Sequence, residues 1–140
     1  MRSKIFSFLL FVEAVLVSGA VRVVLNFLSG SVRLRWMGTS VDVGYQLPEP
    51  GSEQLQQLQA IKRALARCMR YVPWDAECYT QALTARILVR RRGIPLLLFV
   101  GFSASDGERL LGHAWTVCGS YIVTGYRTDL GRYTINGCFL

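Results

Sequence analysis

The chain has 140 residues, enough for one domain with a core of its own and too few for two. With a formal net charge of +7 and 51% hydrophobic residues, it suits an acidic partner or surface and must bury or cover a large apolar area. The basic residues form no long stripe, and no zinc-finger or glycine–aromatic pattern accompanies them, which argues against nucleic acid as a partner.

Residues 5–28 are mostly apolar and follow Arg2 and Lys4, a composition shared by signal peptides and membrane spans. Glu13 and Arg22 interrupt the run, and Val17-Ser18-Gly19-Ala20 is a poor cleavage site. The small and polar residues Ser3, Ser7, Ala14, Ser18, Arg22, Asn26 and Ser29 project onto one helical stripe. The expectation is an amphipathic helix with a wide apolar face, buried against the domain, a partner or a membrane surface. Gly30 should end it, residues 32–37 should form a short strand or helical turn, and residues 38–51, with Pro48 and Pro50, should form a loop.

A second helix is expected from Ser52 as N-cap, burying Leu55, Leu58, Ile61, Leu65, Cys68, Met69 and Val72 and leaving Lys62, Arg63, Arg67 and Arg70 solvated. Pro73 stops it. Asp75 is the expected N-cap of a third, central helix, with Cys78 in its first turn and an apolar body from Ala82 to Val89. Arg90, Arg91 and Arg92, then Gly93 and Pro95, read as a helix stop and not as a binding patch. Strands are expected over 94–103, 110–118 and 121–125, with turns at 105–108 and 119–120 and an edge strand within 133–140. Leu111, His113, Trp115 and Val117 share one face of the middle strand. Helices followed by an antiparallel sheet make the class α+β. The whole of 1–140 reads as a single domain, an apolar helical segment and loop over 1–50 and a core over 51–140.

Cys68, Cys78, Cys118 and Cys138 form no CxxC pair, and the one histidine completes no zinc pattern, so no metal or other cofactor is expected. Cys68, Cys118 and Cys138 read as small core residues, and the low cysteine density points to a reducing, cytoplasmic compartment. Cys78 differs. A thiol at a helix N-terminus is favoured as thiolate, and a histidine on a strand packed against that helix can take its proton and later return it. Cys78 and His113 are therefore the candidate nucleophile and base.

The blocks around them carry a resemblance. Pro73-Trp74-x-x-x-Cys78-x-x-x-Ala82-Leu83, then Arg91-Arg92-Gly93-Ile94, Val100-Gly101 and His113-Ala114-Trp115 resemble the leader peptidase of lasso peptide biosynthesis, in the transglutaminase-like superfamily. The resemblance covers roughly residues 60–140. It implies a central cysteine-bearing helix packed on a small antiparallel sheet. It implies removal of the leader from a ribosomally made lasso precursor, beside a small leader-binding partner and ahead of an ATP-dependent lasso cyclase. Carried over, Cys78 is the nucleophile, His113 the base and then the acid, and the Cys78 N–H an oxyanion donor. The family commonly has an aspartate on the strand after the histidine, and that position here aligns with Gly125. Asp129 is the nearest replacement in sequence. The missing acid leaves a non-catalytic scaffold or a membrane-associated component of the same maturation complex as the alternative, and an acyltransferase as a third. The apolar first helix is the expected site of any peripheral membrane contact.

Overall fold

A computed structural model describes residues 2–27, 29–73, 77–105 and 109–140. Four helices, α1 (Arg2–Phe27), α2 (Gly30–Met37), α3 (Ser52–Tyr71) and α4 (Cys78–Arg90), precede the strands β1 (Leu97–Ser105), β2 (Arg109–Cys118) and β3 (Tyr121–Thr124). A short 3-10 turn, Leu130–Arg132, leads to β4 (Thr134–Phe139). The sheet is antiparallel in the order β3-β2-β1-β4. The α+β class and the single antiparallel sheet are as expected. The tail strand lies beside β1, on the opposite edge from β3, an arrangement that depends on a non-local pairing.

α4 is the central element. It packs on β2 and β3 on one side and on α1 and α3 on the other. Its apolar body explains this: Ala82, Leu83, Ala85, Leu88 and Val89 are at most 1% exposed. Leu83 shares one buried cluster with Leu98 and Ala114 of the sheet, and Leu88 shares another with Leu58 and Ile61 of α3. A side chain of this size contributes about 1.5–3 kcal/mol when fully buried. The loop after α2 is tied to the tail by paired backbone bonds between Thr39 and Leu140 (2.9 and 2.8 Å). Further along the loop, the Glu49 carboxylate accepts from the Ser120 N–H and hydroxyl, both at 2.8 Å, and so closes over the β2–β3 turn. The loop after α2 is thus anchored to the sheet near both of its ends.

Several local expectations change. Residues 30–37 are helical, so Gly30 opens a helix instead of only ending one. α3 is capped by Gly51, whose N–H donates to Gln54 Oε1 (3.2 Å), and Ser52 is its first residue. β1 begins at Leu97, because Pro95 has no N–H to give a ladder. Lys62 is not simply solvated: its ammonium donates to the Ile122 carbonyl (3.0 Å) and lies over the Tyr121 ring. Arg67 packs over Phe11 of α1. The expected turn residues Asp106, Gly107 and Glu108 lie outside the described residues.

The largest change concerns α1. Only the middle of the stripe of small and polar residues faces inward: Ala14 and Ser18 are fully buried beside Leu10, Val21 and Val24, while Ser3, Ser7, Asn26 and Ser29 are exposed. Small side chains let α3 and α4 approach closely, and the Ser18 hydroxyl is satisfied by the Val15 carbonyl (3.0 Å) and the Cys68 sulfur (3.5 Å). Ile5, Phe6, Phe8, Leu9, Leu16, Val23 and Phe27 point away from the fold, so of the surroundings expected for the apolar face the domain itself covers only part. Arg91 and Arg92 clamp this helix by holding the Glu13 carboxylate at 3.1 and 2.7 Å. The arginine run does end α4, and it also neutralises the one acid in α1.

Candidate active site

Cys78 is the first residue of α4, after Glu77 as N-cap. The expected cap, Asp75, and its neighbour Trp74 lie outside the described residues. As the first helical residue, Cys78 has a backbone N–H that the helix itself does not use. Pro73 and the extended Glu77 end one helix and start the next, so the thiol sits at a helix mouth and not along a packed face.

His113 lies in mid-β2, paired with Gly101 of β1. It shares its face of the strand with Trp115, as the alternation predicts, while Ala114 turns toward Leu83 of α4. The last β2–β3 pair is Thr116 with Thr124, so β3 stops short of His113 and leaves that edge open. Cys78 and His113 line one cleft of about 420 Å³ at this edge, between the start of α4, α3 and the end of β3.

The geometry answers the missing acid. His113 Nε2 lies 2.7 Å from the carbonyl oxygen of Gly125, the residue aligned with the family aspartate. A carbonyl can only accept, so Nε2 carries the proton and the lone pair of the neutral ring is on Nδ1. Gly125 can do this because of its backbone. Its φ is +80°, and a Cβ there would stand 2.6 Å from the Ala114 oxygen and 2.6 Å from Trp115 Cβ. The same geometry that presents the carbonyl excludes a side chain. The ring is further held between Trp115, stacked at 5.8 Å, and Tyr133, tilted at 5.5 Å.

Asp129 does not occupy the orienting position. Its two oxygens accept from Arg127 Nε and Nη2 at 2.8 and 3.2 Å. That hydrogen bond is the main reason its carboxyl sits below the usual range. Arg127 in turn lies over the Tyr133 ring, so Asp129 reaches His113 only through two other side chains. Arg127 also lines the cleft with Cys78. Its guanidinium is held above its ordinary value first by the bond to Asp129, and to a smaller extent by the charge of Cys78.

The other three thiols are separated from this chemistry. Cys68, Cys118 and Cys138 are free, at most 1% exposed, and pushed up in pKa chiefly by burial. Only Cys78 is partly exposed. Among the described residues, no three His, Cys, Asp or Glu side chains gather to hold a metal ion. Sequence reasoning missed Lys62, Gln81, Arg127 and Tyr133 around the pair. Gln81, three residues past Cys78 on one helix, carried a usable signal in its spacing. The others arrive from distant segments.

A profile of the transglutaminase-like superfamily matches residues 21–137. Comparison with curated proteins and with solved structures returned no match. A central helix opening on a cysteine, a histidine on the adjoining antiparallel sheet and a match over most of the chain agree: this protein belongs to the transglutaminase-like superfamily.

Proposed function

We propose that this protein is a cysteine peptidase that removes the leader from a ribosomally synthesised lasso peptide precursor. It would act in the cytoplasm with a small leader-binding protein, ahead of the ATP-dependent cyclase. The observation that carries the catalytic part is the fixed tautomer of His113. With Nε2–H donating to Gly125, the Nδ1 lone pair is the base available to the cleft that Cys78 shares. The motif blocks around Cys78, Arg91–Ile94 and His113 carry the narrower choice of substrate.

In the proposed reaction, His113 Nδ1 takes the Cys78 Sγ proton and the sulfur attacks the carbonyl carbon at the leader–core junction. The Cys78 N–H donates to the oxyanion. The intermediate collapses to a thioester, and the core's amine leaves with the proton from the imidazolium. Water, deprotonated by Nδ1, then releases the leader acid and restores the thiol. Gly125 supplies orientation and tautomer; unlike a carboxylate, its neutral carbonyl brings no full charge to the imidazolium.

The test is cleavage of a precursor by the purified chain, with and without the leader-binding protein, read by mass spectrometry. The Cys78→Ala protein should fold and fail to cleave. Retained processing would make the chain a scaffold, and amine incorporation in place of hydrolysis would make it an acyltransferase.

A further inference from the structure

The outward face of α1 is built as a lipid-facing surface. Ile5, Leu9, Leu16, Val23 and Phe27 lie on one side of the helix at intervals of four or seven residues, each between 54% and 79% exposed. Val12 and Ala20 fill the same ridge, so no polar side chain interrupts it from Ile5 to Phe27. Phe6 and Phe8, 51% and 60% exposed, widen it on either flank near its start. At 1.5 Å per residue the ridge is about 33 Å long.

Composition alone would let Ser3–Phe27 cross a bilayer, and only 28% of its most apolar window is buried within the fold. The packing excludes crossing. From Leu10 to Val24 the inner face is covered by α3 and α4, and Glu13 is tied to Arg91 and Arg92. A helix sheathed on one side by a polar domain cannot be surrounded by acyl chains, but it can lie in the interface with its free side down.

Charge favours an anionic surface over another protein. Residues 1–41 hold five basic residues, Arg2, Lys4, Arg22, Arg33 and Arg35, and one acid, Glu13. That acid is already neutralised. Beside the Glu13 contact, Arg90 and Arg91 are exposed next to Trp36, where they can meet phosphate headgroups flanking the ridge. Near its start, where Phe6 and Phe8 flank the ridge, the apolar arc spans nearly half the helix, wider than a two-helix seam. The superfamily match begins at Val21, so most of the ridge lies outside it.

We infer that α1 docks the protein on a membrane rich in anionic lipid, lying in the headgroup layer with Ile5, Leu9, Leu16, Val23 and Phe27 in the acyl boundary and the arginines around Trp36 on headgroup phosphates. This holds whatever chemistry occurs at Cys78.

The experiment is cell-free synthesis of the full chain with vesicles of phosphatidylcholine alone or with 30% phosphatidylglycerol, followed by flotation (about 30% anionic lipid approximates a strongly charged leaflet). The chain should float at least about tenfold more with the anionic vesicles, and alkaline carbonate should release it. Leu16→Glu with Val23→Glu, both outside the core, should abolish flotation. Arg35→Gln with Arg90→Gln should weaken it by about fivefold per charge removed. Sedimentation and thiol-labelling controls establish the fold of each variant. Equal flotation of the glutamate variant, resistance to carbonate, or a dimer that ignores vesicles would each overturn the inference; the last would make the second copy the occupant.

Discussion

Replacing Gly125 with aspartate restores, on paper, the acid that the aligned family position calls for. The structure predicts that it does harm. Gly125 sits at φ +80°, where an L side chain costs about 1–2 kcal/mol. Its Cβ would also press to 2.6 Å on the Ala114 carbonyl and on Trp115 Cβ, and relief by backbone shift costs about 1–3 kcal/mol. The sum, about 2–5 kcal/mol, is a large share of a stability of about 5–15 kcal/mol. For a domain of this size it lowers the melting temperature by about 6–20 °C. The shift also moves the carbonyl from His113 and the ring from its seat on Trp115. A misplacement of about 1 Å costs about 100-fold in rate, so kcat/KM for leader removal should fall by at least that much. Gly125→Ala is the control: it adds the Cβ without the carboxylate and should match the aspartate variant in both assays. Thermal melts by circular dichroism and a mass-spectrometric cleavage assay read the two quantities. An aspartate variant that melts like the parent and cleaves faster would refute the assignment of the Gly125 carbonyl to His113.

Four further outcomes are expected. Asp129→Asn should change leader cleavage less than about threefold and leave the thermal melt nearly unchanged, since the carboxylate is exposed and meets Arg127 instead of His113; a hundredfold loss would return it to the triad. A thiol reagent should label one cysteine per native chain quickly, and Cys78→Ser should remove that fast phase, because the other three thiols are buried. Stability should fall as pH rises above about 8.5, the ordinary thiol value. Burial raises the folded pKa of Cys68, Cys118 and Cys138, so the unfolded chain loses those protons first and the stabilisation, full below that pH, is lost as pH climbs toward the folded values; urea melts that do not change between pH 7.5 and 10 would contradict this. Glu13→Gln should lower stability by about 1–2 kcal/mol by releasing two arginines from α1, a half-buried case between surface and buried pairs, and an unchanged melt would show that apolar packing alone seats the helix.

The sequence was legible wherever a signal was local. Apolar spacing found α3 and α4, the Gly93 and Pro95 breakers ended α4, and alternation placed His113 and Trp115 on one face of β2. The position of Cys78 at a helix mouth followed from Pro73 as a stop and Asp75 as the expected cap, although the cap proved to be Glu77. Each depends on residues within a few positions of one another.

Tertiary structure decided the rest. The sequence left open what the wide apolar face of α1 would meet; α3 and α4 cover Ala14 and Ser18 with Leu10, Val21 and Val24, and leave Ile5, Leu9, Leu16, Val23 and Phe27 outside. Asp129 was the natural third member by proximity in sequence, yet its carboxylate had a nearer cation in Arg127. Gly125 looked like a gap in a triad because sequence comparison reads side chains. Its role here is carried by a backbone carbonyl, which every residue has, and by a positive φ that glycine adopts with ease.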